Sequence, residues 1–424
     1  MNKKHLNKKK FIMRRVLISG AGIAGPALAF WLHRYGFEVT VVERAPSVRR
    51  GGYRVDLRGR AVDVAARMGL LSEIRRERTA LRGSTIMNRK GKSYIELDNP
   101  DLFGMRRPGD VELLRGDLAS ILYEATKQNT TYLFGNSITS IEDREDDALV
   151  TFRDGSRETF DYVIGADGVH STVRKIVFGP EEQFLKPLGY NLSTFTLPND
   201  YELNRWEVTF PSVQKGVNVY SAHETEEAHA FFLFRSNGEA VHYQDVARQK
   251  ECVFEAFSEE GPDVNHLLSH LDNAKDFYFD SLCQVRMTRL YKGRTVLLGD
   301  AGYCPSPSSG QGTSLALVGA YVLAGELAKG NHTRAFASYQ QAMQPYIDLN
   351  QELALTVIKE MIPSSSFQLR FQTFMLRLLL KLPNRERVIR GFLKKTQDAV
   401  NRAADGIQLP DYNDYNLAYL PELV

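Results

Sequence analysis

Cysteine, net charge and long apolar runs are all scarce in this chain of 424 residues. The three cysteines are widely spaced and odd in number, so neither a disulfide framework nor a metal site is predicted. A formal net charge of only +3 gives no reason to expect nucleic-acid binding. No apolar run reaches the ~18 residues of a membrane span. We therefore expect a cytoplasmic protein with no stable membrane insertion.

Positive charge is concentrated at the beginning of the chain, in residues 1–14, which we predict to be a disordered basic tail. This segment lacks the apolar core and the small-residue cleavage site of a signal peptide. The whole chain is 43% hydrophobic and 25% charged, an ordinary globular composition. Its length suggests two or three domains, or one domain with a large insertion.

A glycine turn between two short strands organises the stretch 15–44. Gly20, Gly22 and Gly25 form Gly-x-Gly-x-x-Gly between an apolar strand and a helix. In such a turn the first glycine permits the tight bend, the second lets a pyrophosphate approach, and the third packs helix against strand. Glu43 ends the next strand, where a carboxylate binds a ribose hydroxyl. We predict an ADP-containing dinucleotide, since an ordinary glycine-rich turn leaves Glu43 unexplained.

Two further glycine–aspartate stretches indicate which dinucleotide is bound. The strand 161–165 leads into Asp167-Gly168, and a later strand leads into Gly299-Asp300. NAD would explain the first glycine turn alone, whereas the ribityl chain of FAD would extend across the domain to Asp300. The turn Gly310-Gln311-Gly312 begins a helix, whose N–H groups and dipole would face the flavin pyrimidine edge. The alternative for this turn is a surface loop.

The region between these motifs has a different pattern. Apolar residues alternate with polar ones between 184 and 286, which predicts a mainly antiparallel sheet inserted as the floor of a substrate site. Helices are expected at 352–361, 367–382 and 386–404; they would pack on the body, cover the substrate cleft or form a dimer contact. The predicted order is a basic tail (1–14), a first FAD-binding segment (15–183), a substrate sheet (184–286), a second FAD-binding segment (287–350) and C-terminal helices (351–424).

The three motifs, in this order, resemble those of the class A flavoprotein monooxygenases, which share the para-hydroxybenzoate hydroxylase fold. Within that class the stretches 51–59, 112–118 and 303–312 are similar to tetracycline destructases of the soil and Legionella type. The resemblance implies an α/β fold: a Rossmann-like FAD-binding domain with an inserted, mainly antiparallel sheet and a helical C-terminal tail. We expect a monomer or a weak dimer that acts on a small molecule.

The resemblance also implies the chemistry. NADPH or NADH would reduce FAD and leave, O2 would add at flavin C4a, and the hydroperoxide would oxidise an enolic or phenolic polycyclic substrate. The first hypothesis is inactivation of tetracycline, an antibiotic-resistance activity. A second Gly-x-Gly-x-x-Gly for the nicotinamide nucleotide is missing, which suits transient docking of that donor. No side chain is assigned as a general acid or base.

Residue roles follow from the same resemblance. Glu43 and Arg44 would hold the adenosine end, Arg115 the pyrophosphate or ribityl region, Asp300 the ribityl chain, and Asp56 would lie near flavin N5. Asp167 and Arg174 belong to a motif that serves both FAD and NADPH. The predicted FAD-binding set is Gly20, Gly22, Ile23, Ala24, Gly25, Glu43, Arg44, Arg54, Asp56, Arg115, Asp167, Gly168, Asp300, Pro307, Gly310, Gln311 and Gly312, of which Asp56, Pro307, Gly310, Gln311 and Gly312 are nearest the flavin.

Substrate residues are sought on the inserted sheet. The candidates are Ser193, Phe195, Lys215, His229, Phe231 and Arg235. A buried sheet needs aromatic residues for its own core, so each of them has a structural alternative. His170, beside the Asp167-Gly168 turn, has the same two interpretations.

Other functions are weighed against this one. An aromatic hydroxylase of secondary metabolism would share every motif and differ only in its phenolic substrate. A flavin halogenase is disfavoured because Trp31 and Trp206 are the only tryptophans, so the paired-tryptophan motif of that group is missing. A lipid-directed flavin reductase would gain support if the apolar helix 367–382 bound membranes. A non-catalytic ligand-binding protein on this fold is disfavoured because loss of flavin would release positions 299–300 and 310–312.

Overall fold

The computed structural model describes residues 13–49, 51–88, 91–99, 105–222, 226–239, 241–242 and 244–415. Most of the predicted basic tail, residues 1–12, lies outside these ranges, and so do residues 416–424 of the predicted C-terminal segment.

The strands are β1 (Arg15–Ser19), β2 (Glu38–Glu43), β3 (Arg54–Leu57), β4 (Gly83–Met87), β5 (Ser93–Leu97), β6 (Val111–Leu114), β7 (Thr131–Phe134), β8 (Ile138–Asp143), β9 (Ala148–Phe152), β10 (Arg157–Phe160), β11 (Tyr162–Gly165), β12 (Leu185–Pro198), β13 (Trp206–Ser212), β14 (Lys215–Tyr220), β15 (Glu227–Arg235), β16 (Tyr278–Val285), β17 (Tyr291–Lys292) and β18 (Thr295–Leu297). The helices are α1 (Ala24–Arg34), α2 (Arg60–Met68), α3 (Leu71–Arg76), α4 (Arg115–Glu124), α5 (Thr172–Phe178), α6 (Val246–Phe257), α7 (Pro262–Ser269), α8 (Asp300–Tyr303), α9 (Gly312–Ala328), α10 (His332–Met361), α11 (Ser366–Leu380) and α12 (Arg385–Asp405).

The nucleotide-binding layer is built on a six-stranded sheet in the order β17-β18-β11-β1-β2-β7. All its neighbouring strands run parallel except β17, an antiparallel edge. Because both faces of a parallel sheet are covered, its strands are apolar on both sides. In β1, Val16 and Ile18 belong to the core formed with α1 and α9, whereas Leu17 belongs to the core formed with the small sheet β8–β10. The α/β class implied by the resemblance is confirmed.

A seven-stranded sheet in the order β16-β12-β15-β14-β13-β4-β5 forms the second layer. Its pairs are antiparallel except β13 with β4. Five of its strands come from the predicted insertion 184–286. The hairpin β4–β5 comes instead from the predicted first FAD-binding segment. It belongs to this sheet because β4 pairs with β13 and extends the sheet at that edge. The sheet therefore draws on both sides of the 183/184 boundary.

The two faces of this large sheet differ in character. Its outer face packs on α6 and α7 through apolar residues such as Phe210, Val217 and Phe232. Its inner face carries the alternate residues, among them Glu207 and Tyr220, and lies against β3, β6 and the end of α10. This alternation follows from the two-residue period of a strand. The inner face is the one turned toward the nucleotide-binding layer.

Helix α10 connects the two layers. The predicted helix 352–361 is only the last third of this 30-residue helix, which continues through Pro345. Phe336 of α10 packs in the core with α1 and α9, and Ile358 lies near the inner face with Leu192. The predicted boundary at 350/351 therefore falls inside one continuous helix.

The last two helices agree with their predicted positions within a few residues. Helix α11 has no buried residue, and Phe367, Phe371 and Phe374 are exposed on it. None of the helices in the described ranges combines the length and the apolar character needed to cross a membrane.

Candidate active site

The glycine turn before α1 is packed so tightly that each glycine has a distinct role. Gly20 has a φ of +109° and a Cβ there would lie 2.4 Å from the carbonyl oxygen of Ala166. A Cβ at Gly25 would lie 1.9 Å from the carbonyl oxygen of Gly20. At Gly22 the nearest atom is Nη2 of Arg115, at 3.2 Å. Gly20 and Gly25 therefore allow close packing of the backbone. Gly22 faces the cationic side chain of Arg115, which suits the binding of an anion.

Two helices begin without any group that neutralises their N-terminus. Among the described α-helices, α1 and α9 alone have neither a capping side-chain hydrogen bond nor an acidic residue in the first turn. Ile23 and Gln311 occupy their N-cap positions. The first N–H groups of a helix need acceptors, and its dipole favours negative charge there. Both ends are therefore suited to an anionic ligand group.

Glu43 lies beside the glycine turn. Its Oε2 accepts a hydrogen bond from the N–H of Ala21 and its Oε1 one from the N–H of Ala45, both at 2.9 Å. These bonds fix the carboxylate at the end of β2, where the sequence predicts the adenosine end. Arg44 follows it and is exposed.

Arg49 is a site residue that was not predicted from the sequence. Partial burial lowers the pKa of its guanidinium, the Glu43 charge raises it, and the positive charges of Arg44 and Arg115 lower it, with a net decrease. Arg44 and Arg115 are thus close enough to Arg49 to act on its charge, and Arg115 itself reaches Gly22 of the glycine turn. The signal in the sequence was a second arginine in the loop after β2, which is weak evidence without coordinates.

Asp300 lies between the starts of α1 and α9. A Cβ at the neighbouring Gly299 would be 3.2 Å from Cβ of Ala24, and a Cβ at Gly312 would be 3.7 Å from Oδ1 of Asp300. Protein surrounds the carboxyl group, and this burial raises its pKa, whereas Cys304 and Arg115 lower it. The residue is nevertheless open to solvent. Asp300 therefore lines a cleft and does not fill a core.

The loop before α9 forms one wall of the same cleft. Pro307 and Gly310 are exposed, and a Cβ at Gly310 would be 3.7 Å from Oδ2 of Asp56. Gln311 is fully buried, and both polar atoms of its side chain lack a hydrogen-bond partner among the described residues. Buried amides are normally satisfied. A ligand group at this turn would supply polar atoms that the protein alone does not.

Asp56 is held as an anion by arginines. Its Oδ2 accepts a hydrogen bond from Nη2 of Arg58 at 2.8 Å, and Nη1 of Arg106 lies 3.5 Å from Oδ1. Burial raises the pKa of Asp56, but Arg58 and Arg106 lower it by more, so that the net pKa is below its ordinary value. The carboxylate therefore carries a fixed negative charge beside the 307–310 loop.

Arg54, predicted to bind the cofactor, joins β3 to the large sheet. Its guanidinium pairs with Glu207 on the inner face, lies 3.7 Å from Oε2 of Glu112, and stacks 4.0 Å from the ring centroid of Tyr220. Burial lowers the pKa of Arg54, but Glu207 and Glu112 raise it by more. Neither acidic partner was predicted, because both are distant in sequence and meet Arg54 only when the two layers pack.

The Asp167 motif acts mainly on backbone. Asp167 accepts hydrogen bonds from the N–H groups of Thr172 (2.9 Å) and Val173 (3.1 Å) and from the Ser171 hydroxyl, so it satisfies the start of α5. Arg174 is fully buried and donates to the carbonyl of Ala301 at 2.8 Å. Arg174 thus ties the second motif to the Asp300 loop, and burial lowers its pKa. Gly168 has a φ of +82° in this turn.

His170 belongs to a charged cluster near the same turn. Its Nδ1 lies 3.1 Å from Glu181 Oε2, and its Nε2 lies 3.3 Å from Asp280 Oδ1. Asp280 also accepts a hydrogen bond from the hydroxyl of Tyr278. Burial lowers the pKa of His170, but Asp280 and Glu181 raise it by more. His170 is therefore a partnered histidine that links α5 to the large sheet.

The six substrate candidates are divided between the two faces of the large sheet. Phe195 stacks on Phe232 in the outer core, Lys215 pairs with Glu260 at 2.7 Å beside α6, and Ser193 is fully buried with its hydroxyl on the carbonyl of Tyr278. These three lie away from the inner face, because strand alternation directs them toward the helices. The prediction from sequence did not separate the two faces.

The other three candidates share the alternate positions of β15. His229 lies with Nδ1 3.2 Å from Oγ1 of Thr196 and its ring 5.3 Å from that of Tyr220. Phe231 packs in the cluster that includes Ile358, and Arg235 is exposed at the end of the strand. Asn218, which was not predicted, donates to Glu207 at 2.8 Å. The inner face thus offers polar and aromatic groups on the side of the cleft.

Comparison with known proteins identifies the family of this chain. A family described as FAD binding domain matches residues 13–341. A protein from an unidentified prokaryote, named flavin-dependent monooxygenase, is 39% identical over 400 residues, which cover 94% of this chain and 99% of the relative.

Two solved structures are similar over nearly the whole chain. The tetracycline destructase Tet(55) superposes with a TM-score of 0.82 at 37% identity, covering 94% of this chain and 99% of its own. The tetracycline destructase Tet(51) gives a TM-score of 0.81 at 35% identity, covering 95% and 99%. The glycine turn, the two open helix ends and the Asp300 cleft fit the pyrophosphate, flavin and ribityl groups of FAD. The chain belongs to the FAD-binding-domain family of flavin-dependent monooxygenases.

Proposed function

We propose that this protein oxidises an enolic or phenolic polycyclic compound, with tetracycline as the foremost candidate, using NADPH or NADH as electron donor and O2 as co-substrate. The observation that carries the proposal is the pair of unneutralised helix ends, α1 and α9, on either side of the Asp300 carboxylate and opposite the inner face. The similarity to two tetracycline destructases at 35–37% identity supports the choice of substrate class.

Specific residues would hold FAD. The N–H groups at the start of α1, with Arg115 and Arg49 at its mouth, would bind the pyrophosphate, and Glu43 the adenosine ribose. Asp300 would accept hydrogen bonds from the ribityl hydroxyls, and the start of α9 would face the pyrimidine edge. When bound, FAD supplies two-electron redox chemistry and reactivity of the reduced flavin toward O2.

The chain's own contribution is electrostatic and positional. The N–H groups and dipole of α9 would stabilise negative charge at the pyrimidine edge of bound FAD. Asp56, fixed by Arg58 and Arg106, adds a permanent anion on the other side of the 307–310 loop. Ile358 and Phe231 belong to one apolar cluster beside the inner face, which would limit access of water to the reacting groups.

The test is NADPH oxidation by the FAD-loaded protein with and without tetracycline, followed by absorbance and mass spectrometry. We expect tetracycline to stimulate NADPH oxidation and to yield a product one oxygen heavier. Slow NADPH oxidation with unchanged tetracycline would reject this substrate and favour a different phenol. Failure to bind FAD at all would favour the non-catalytic alternative.

Substrate contact is tested by comparing the two sheet faces. His229→Asn on the inner face should raise the KM for the substrate, whereas Lys215→Met on the outer face should leave it unchanged. Equal effects of the two substitutions would contradict the assignment of the substrate to the inner face.

A further inference from the structure

A cluster of metal-ligating side chains lies outside the FAD site. His266 on α7 and His270 at its C-terminal cap both direct Nε2 toward Oδ2 of Asp200, at 3.1 and 3.3 Å. One ligand atom from each of the three residues lies within 4.8 Å of the other two. His270 keeps right-handed helical dihedral angles, φ −88° and ψ −9°, so the four-residue spacing puts both rings on one helix face.

The spacing of these atoms matches a coordination shell. Zinc binds imidazole nitrogen and carboxylate oxygen at about 2.0–2.2 Å in tetrahedral geometry, which puts neighbouring ligand atoms about 3.4 Å apart. The two nitrogen–oxygen distances here are close to that value. Two imidazoles and one carboxylate also form a common donor set for zinc, with the fourth position left to water.

Both sides of the cluster are held in place by the fold. Asn199 accepts a hydrogen bond from the N–H of Leu203 and donates one to its carbonyl, which closes the loop around Asp200. The hydroxyl of Tyr201 donates to the carbonyl of Asp263 on α7. On the helix side, Leu267 is fully buried in the outer core. The ligands are therefore positioned before any ion binds, which lowers the cost of binding.

We propose that Asp200, His266 and His270 form a zinc site that fastens the β12–β13 loop to helix α7 on the outer side of the large sheet. The site is separate from the FAD cleft: it is built on the opposite face of the sheet and shares no residue with that cleft. Its existence is independent of the function proposed above. The signal in the sequence was the His-x-x-x-His spacing of His266 and His270. A search for metal sites based on cysteines alone does not detect it.

The test is a titration of the chelator-treated, FAD-loaded protein with zinc chloride alone, measured by calorimetry and by thermal unfolding. We expect one zinc ion per chain and a rise in melting temperature that EDTA reverses, because an ion that binds only the native state stabilises it. Absence of zinc binding by the wild-type protein would overturn the proposal.

Substitutions separate this site from adventitious binding. His266→Gln, His270→Gln and Asp200→Asn keep polar side chains at exposed or half-exposed positions, so all three variants should fold. Each should weaken zinc binding about 10-fold or more and abolish the zinc-dependent thermal shift. His242→Gln, at another exposed histidine, is the control and should bind as the wild type does. Equal zinc affinity in all four variants would refute the site.

Discussion

Alanine at Gly22 and alanine at Gly25 should have different consequences, although both glycines belong to one turn. A Cβ at Gly22 would meet only the end of the Arg115 side chain, at 3.2 Å, and that side chain can move. The chain should therefore fold, with stability within about 1 kcal/mol of wild type. The new methyl group would, however, stand where a pyrophosphate approaches the N–H groups of α1.

The magnitudes follow from what each methyl group displaces. Loss of one charge-assisted hydrogen bond to phosphate costs about 1.5–3 kcal/mol, so Gly22→Ala should weaken FAD binding about 10- to 100-fold. A Cβ at Gly25 would be 1.9 Å from the Gly20 oxygen, well below the 3.0 Å that real Cβ atoms keep. Gly25→Ala must displace α1 from β1, at a cost of about 1–3 kcal/mol or more.

The assays are FAD fluorescence titration of the apoprotein and chemical denaturation in the absence of FAD. The reasoning requires a separation: Gly22→Ala affects mainly affinity, and Gly25→Ala affects the free energy of unfolding as well. If Gly22→Ala bound FAD as tightly as wild type, the pyrophosphate would not lie at this turn. If Gly25→Ala were as stable as wild type, the packing argument would be wrong.

Three further predictions test the cleft and its surroundings. Asp300→Ala should lose FAD on gel filtration more readily than Asp300→Asn, which retains a hydrogen-bond acceptor; equal retention by both and by wild type would remove Asp300 from the site. Glu207→Gln should lower the free energy of unfolding by about 2–3 kcal/mol, because the Arg54 charge loses its nearest partner in a largely buried position; an unchanged denaturation midpoint would contradict this. Burial lowers the pKa of His170 but Asp280 raises it above 6.5, so the protonated histidine stabilises the fold below about pH 6.5 and this stabilisation is lost as pH rises through the folded pKa. The melting temperature of His170→Gln should therefore fall further below wild type at pH 6 than at pH 8.5, and a difference independent of pH would argue against the ion pairs.

The sequence was most informative where function requires particular backbone conformations. Glycines at 20, 22 and 25 were assigned three separate tasks, and the close approaches at Gly20 and Gly25 match the tight bend and the packing of helix against strand. The mainly antiparallel sheet was predicted from the two-residue period of its strands, which is a local property. The α/β class was implied by the resemblance. The family followed from the order of the three motifs, without any contact between them being known.

What only the tertiary structure decided is how distant segments meet. The two-residue period of a strand can show which residues share a face, but which face lies over the cleft depends on how the sheet packs against β3 and α10. Lys215 and Phe195, predicted as substrate residues, therefore lie on the outer face. The partners of Arg54 are on other strands, and Asp200 meets two histidines some 66 and 70 positions away. Such contacts depend on the summed packing of whole layers, and residue type at one position does not specify them.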